Sequence, residues 1–135
     1  MSLAEQSAAL DATYPALASQ IPAIRRGVAD VARRLGADDE VLLQINLAVS
    51  EAATNAIQHA YRDRVAADAG EVRVVVRGHR DRCVVHIHDD GTGLTPRNDS
   101  PGLGLGLCLM AHESASFEIR KNPRGGTEVV LHFDL

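Results

Sequence analysis

The segment Ser50-Glu51-Ala52-Ala53-Thr54-Asn55-Ala56-Ile57-Gln58-His59-Ala60 closes a long helical pattern. Leu42, Ile45, Val49, Ala52, Ala56 and Ala60 recur along it as one apolar stripe. Glu51, Asn55 and His59 follow at i, i+4 and i+8 as a second, polar stripe. At ~3.6 residues per turn the stripes are offset by about a quarter turn. The polar three therefore flank the buried face, where a helix lining a pocket places its working groups.

Upstream, Asp38 or Asp39 is suited to cap this helix, which is predicted to run to about Tyr61. Before it, Ile24, Val28, Val31 and Leu35 recur at helical spacing, and Gly36 stands where a helix ends. Pro15 and Pro22 punctuate the preceding loop, and residues 7–13 read as a weak edge strand or a subunit contact. Downstream, residues 62–70 form a polar connection, followed by alternating runs. Val72, Val74 and Val76 alternate with Arg73 and Arg77, and residues 78–81 read as the turn. Val85, Ile87 and Asp89 share one face of the next strand, and Val84, His86 and His88 take the other. Phe117 and Ile119 alternate with Glu118 and Arg120. Thr127, Val129, Leu131 and Phe133 alternate with Glu128, Val130 and His132. Each strand has an apolar face and a wetter one, so helices should cover one side of the sheet only. The expected fold is an α/β (α+β) two-layer sandwich with a mixed, mostly antiparallel sheet.

Composition sets limits on function. The 135 residues match one domain, 1–135, with a core that must be aliphatic, since there are two Phe, two Tyr and no Trp. A formal charge of −4 without basic runs argues against direct nucleic-acid binding. There is no membrane-spanning apolar run and no secretory signal pattern. Cys83 and Cys108 lack metal or disulfide spacing and read as reduced, buried thiols of a cytoplasmic protein.

Strand parity separates two aspartates. Asp89 continues the apolar face of Val85 and Ile87, whereas Asp90 points the other way. A carboxylate entering an apolar layer needs a partner or a ligand, and the exocyclic amine of adenine would suit it. Taken alone, Asp89 could equally open the turn that follows it. Gly91, Gly93, Gly102, Gly104 and Gly106 then fall in one short segment. Glycines permit close backbone approach, as main-chain donors to phosphate require, and a helix N-terminus after Gly104 would favour anions. A plain flexible loop is the alternative. The segment fits neither a Walker loop, since the only lysine is Lys121, nor a Rossmann fingerprint. Phosphate charge would then be met by a metal ion, backbone N–H groups and an arginine such as Arg97.

Glu51-Xaa-Xaa-Xaa-Asn55, Asp89-Xaa-Gly91-Xaa-Gly93, Gly104-Xaa-Gly106 and Gly126-Thr127 occur in the order of the N, G1, G2 and G3 boxes. The chain in this respect resembles the GHKL (Bergerat-fold) ATPase superfamily. Ala48-Val49-Ser50-Glu51-Ala52, Thr54-Asn55-Ala56 and His59-Ala60-Tyr61 resemble its branch of anti-sigma-factor serine/threonine kinases. The similarity runs from about Ile21 onward. It implies ATP and Mg²⁺ as cofactors, with Asn55 holding the metal and Glu51 as general base on the incoming hydroxyl. It further implies that Asp89 accepts from adenine beside Gly91 and Gly93, and that Thr127 sits close to both. Residues 94–103 would form the ATP lid. Gly104 and Gly106 would offer backbone donors to the phosphates, with Gly102, Leu103 and Leu105 among the nucleotide-binding positions. His59 either reaches the phosphates or is a hydrogen-bonded residue at the helix end.

Two departures from the family pattern stand out. The lid is short and carries Pro96 and Pro101, and His112-Glu113-Ser114-Ala115-Ser116 replaces the usual apolar continuation of the helix. His86, His88 and His132 fit surface positions on the open sheet face better than metal ligands. The implied activity is phosphorylation of an anti-anti-sigma (STAS-type) partner, with a sigma factor held otherwise, and a homodimer is compatible. The alternatives are a non-enzymatic ATP-gated switch and a detached histidine-kinase catalytic domain.

Overall fold

The computed structural model describes residues 8–60, 70–90, 113–121 and 125–135. Their order is β1 (Ala8–Pro15), a 3₁₀ turn (Ala18–Gln20), α1 (Ile21–Leu35), α2 (Asp39–Asn55), a π turn (Ala56–Ala60), β2 (Glu71–His79), β3 (Arg82–Asp89), β4 (Ser116–Lys121) and β5 (Thr127–Asp134). The five strands form one sheet in the order β1-β2-β3-β5-β4, and every described pairing is antiparallel.

Local chemistry sets the helix ends. Pro22 lies in the first turn of α1, where its missing N–H is not needed. Arg33 and Arg34 sit in its last turn, and Gly36 closes it at φ 108°. Of the two aspartates expected to cap α2, Asp38 does so, its side chain accepting from the Val41 N–H at 2.9 Å. Asp39 and Glu40 add negative charge to the first turn.

The core lies between the helices and one sheet face. Ile24, Val28, Ile45 and Val49 from the helices meet Val72, Val74, Val76, Val85, Ile87, Leu131 and Phe133 from the strands, all fully buried. Cys83 joins them, and burial pushes its thiol up to about 11, so it is an inert core residue. Cys108 lies outside the described residues. On the open face, β-register aligns Asp11, Val75, His86, Val130 and Glu118 in one row. Val75 and Val130 are buried even there. Glu128 ties the neighbouring row to this one, its Oε1 lying 2.7 Å from His86 Nδ1 and 3.2 Å from His88 Nε2.

Three details differ from the sequence expectation. Residues 7–13 shift to Ala8–Pro15, as the edge strand expected. The 78–81 turn shrinks to Arg80 and Asp81, because Gly78 pairs with Cys83 and His79 with Arg82, leaving Arg80 at φ 56°. The α-helix stops at Asn55, and the next five residues are wound as a π turn rather than continuing to Tyr61, which lies outside the described residues.

Candidate functional site

α2 and the π turn that follows it pack against β3, and α2 also packs against β5. Asn55 is the last α-helical residue and is 3% exposed. Glu51, one turn earlier on the same flank, is half-buried. The i, i+4 relation therefore places a buried amide and a more accessible carboxylate on one flank of the helix. His59 was expected to extend the same line. Residues Ala56–Ala60 are wound as a π turn, and the side chain of His59 lies outside the described residues. Nothing in the sequence signals this turn, which contains neither Pro nor Gly.

Across from the helix, Asp89 ends β3 as a buried residue on the core side, as strand parity required. Its antiparallel partner on β5 is Thr127, 1% exposed, and on β2 it is Val72. Asp90 is exposed. Gly126, at φ 86°, passes against the turn after β3. A Cβ there would collide with the Asp89 carbonyl oxygen and would lie 2.9 Å from the Asp89 carbonyl carbon. The glycine before Thr127 thus does more than turn the chain: it lets two backbones approach beside Asp89. The Gly-Thr pair was legible in the sequence, but this contact was not.

Asn55 Nδ2 is buried without a hydrogen-bond partner among the described residues. Such an orphan costs about 1–3 kcal/mol, so its retention points to a group that completes it. A side-chain amide offers two donors at nitrogen and acceptor lone pairs at oxygen. Turned one way it meets an anionic oxygen, and turned the other way a hard cation. The donor set therefore fits a metal–phosphate ligand. Gly91, Gly93, Arg97, Gly102, Leu103, Gly104, Leu105 and Gly106, expected as the phosphate and adenine segment, lie outside the described residues.

The two-layer fold is that of an ATPase domain. The description "Histidine kinase-like ATPase domain" matches residues 14–133, and the chain belongs to that family. Its relatives include "Serine-protein kinase RsbW" of Bacillus mycoides, 33% identical over 75% of this chain and 70% of that one. The protein of the same description from Bacillus cereus strain Q1 is 31% identical with the same coverage. Among solved structures, the SiaB-SiaC complex from Pseudomonas aeruginosa aligns with a TM-score of 0.73 at 15% identity, covering 96% of this chain and 92% of that one. The RsbU and RsbW domains of Rv1364c from Mycobacterium tuberculosis align at 0.65 and 20% identity, covering 93% and 32%. These two likenesses concern the fold. The resemblance to the GHKL ATPases is thereby borne out, as is the likeness to serine kinases in particular.

Proposed function

We propose that this chain is an ATP-dependent serine/threonine kinase of the partner-switching kind. It phosphorylates an anti-anti-sigma (STAS-type) protein and holds a sigma factor when not so engaged. The observation that carries the reading is the buried, unpartnered amide of Asn55, one helical turn from the half-buried Glu51. Family membership and RsbW-like sequence support it.

Asn55 would hold Mg²⁺, which when bound would supply charge neutralisation on the nucleotide phosphates. Asp89 accepts from the adenine amine, with Thr127 beside it, and the approach of Gly126 fixes the wall of that subsite. Glu51 takes the proton from the attacking seryl hydroxyl as its oxygen bonds to the terminal phosphorus; the bridging bond breaks and ADP leaves with its electron pair. Phosphoryl transfer needs positioning and electrostatics more than covalent help, so a carboxylate one turn from the metal ligand suffices. Among the described residues no helix is long and apolar enough to cross a membrane, and we place the protein in the cytoplasm with its partners.

The test is phosphotransfer from labelled ATP to a purified STAS-type partner, with Glu51→Ala as the diagnostic variant. Removing a general base is expected to lower the rate by about 10²–10⁴-fold while nucleotide affinity is retained. Full transfer by Glu51→Ala would refute the role of Glu51. Acid-labile phosphate on histidine would instead indicate the histidine-kinase alternative, and nucleotide-dependent partner release without phosphoprotein the binding switch.

A further inference from the structure

The face of the sheet turned away from the helices holds a cluster to which the phosphotransfer reading gives no part. His86 and His88 of β3 lie on it two residues apart, alternating with the buried Val85, Ile87 and Asp89. Glu128 reaches both from the neighbouring strand β5, its Oε1 lying 2.7 Å from His86 Nδ1 and 3.2 Å from His88 Nε2. A carboxylate oxygen accepts, so both ring nitrogens donate to the one atom. The side chains of Glu128, His86 and His88 are only 12%, 19% and 28% exposed, which limits competition from water. The arginines flanking this pair in the sheet are engaged elsewhere. Arg73, beside His88, donates to both carboxylate oxygens of Asp11, and Arg120, beside Glu128, donates to Glu118.

The cluster sits at one particular end of the β3–β5 ladder. His88 pairs with Glu128, and the next register pair is Asp89 with Thr127, where β3 ends and β5 begins. Successive pairs point to opposite faces, so the imidazoles and Glu128 lie directly behind Asp89 and Thr127. Strand ends open more readily than strand centres. The contact of Glu128 with His88 spans a direct pair and opposes separation of the strands. Its contact with His86, which pairs with Val130, runs diagonally and opposes sliding of one strand along the other. Gly126 sets how closely the two backbones approach beside Asp89, and the carboxylate opposes their parting.

We propose, on the reading of Asp89 as acceptor of the adenine amine, that Glu128 with His86 and His88 is a positioning group for base recognition. From the back of the sheet it fixes the last β3–β5 pair, and so sets the register at which Asp89 and Thr127 meet the purine. Recognition through one carboxylate is sensitive to such placement, since an error of about 1 Å can cost ~10²-fold. The same clamp at the middle of a ladder would add stability alone. One residue from the recognising pair, it adds selectivity for a base that carries an amine.

Titration calorimetry of the full chain with Mg-ATP and with Mg-ITP tests this, because hypoxanthine carries a carbonyl where adenine carries the amine. The native chain should prefer ATP, and Asp89→Ala should abolish the preference. Glu128→Ala should lower the affinity for ATP about tenfold and leave that for ITP unchanged. Glu128→Gln keeps an oxygen that can accept from both rings and should restore the preference. His86→Ala/His88→Ala removes both donors and should match Glu128→Ala, so the outcome does not hang on one variant folding. A purely structural clamp would weaken both nucleotides alike. Equal weakening, or a retained preference, in Glu128→Ala and in the histidine variant would overturn this proposal alone, provided that Asp89→Ala loses the preference. A preference kept by Asp89→Ala would overturn the adenine reading and this proposal with it.

Discussion

Gly126 offers the sharpest test of how the nucleotide-side wall is built, because Gly125 provides its control. Both have positive φ, 100° for Gly125 and 86° for Gly126. An alanine at either pays about 1–2 kcal/mol for backbone conformation. A Cβ on Gly125 would meet nothing within 4 Å. On Gly126 it would collide with the Asp89 carbonyl oxygen and lie 3.0 Å from Asp90 Cα. Both neighbours are backbone, so no side chain can swing aside, and relief requires parting the β3 end from β5. Overpacking of this kind costs about a further 1–3 kcal/mol. Gly125→Ala should therefore lose about 1–2 kcal/mol in urea unfolding and keep its ATP affinity. Gly126→Ala should lose about 2–5 kcal/mol, and its affinity for a fluorescent ATP analogue should fall because Asp89 and Thr127 move. Equal stability losses for the two variants, or Gly126→Ala with native affinity, would refute the close-approach argument.

Other expectations follow from the same geometry. Asn55→Leu removes a buried amide that has an unmet hydrogen-bonding atom, so thermal unfolding without ligand should show a gain of about 1 kcal/mol. The same variant should lose ATP binding in titration calorimetry; retained binding would sink the ligand role of Asn55. His132 is held below its ordinary 6.5 by burial, with Arg82 adding to the effect. Its folded pKa is depressed, so its share of stability is present above 6.5 and is lost as pH falls from there towards the folded value. His132→Gln should flatten the stability curve in that window, measured by urea midpoints between mildly acidic and neutral pH. Asp11 acts lower, since the Arg73 hydrogen bond holds its carboxyl below the ordinary 3.8. Its contribution is lost only as pH falls further, so His132→Gln should leave that acid limb unchanged.

Much of this could be read from residue order because single-element periodicity carries it. The stripe from Leu42 to Ala56 is buried as expected, and Asp89 lies on the core face because strand parity allows no other choice once Val85 and Ile87 are inside. Cap chemistry is equally local, as Asp38 and Gly36 illustrate. What could not be read depends on neighbours far away in the chain. Gly78 looks like a turn glycine, yet its pairing with Cys83 keeps it in the strand. Val130 lies on the wetter face by alternation, but it is buried in a row flanked by His86 and Glu118. The π turn after Asn55 has no local marker.

The pairing of Asp89 with Thr127 has an evolutionary corollary. Alternation has a period of two, so inserting or deleting one residue in β3 or β5 would turn one of the two outward while its mate stayed inside. Substitutions along these strands can be absorbed one at a time, whereas a frame slip of a single codon within either strand would separate Asp89 from Thr127 in one event. Length variation among homologues should accordingly be confined to the connections between strands, with the β3–β5 ladder inherited as a unit of fixed length.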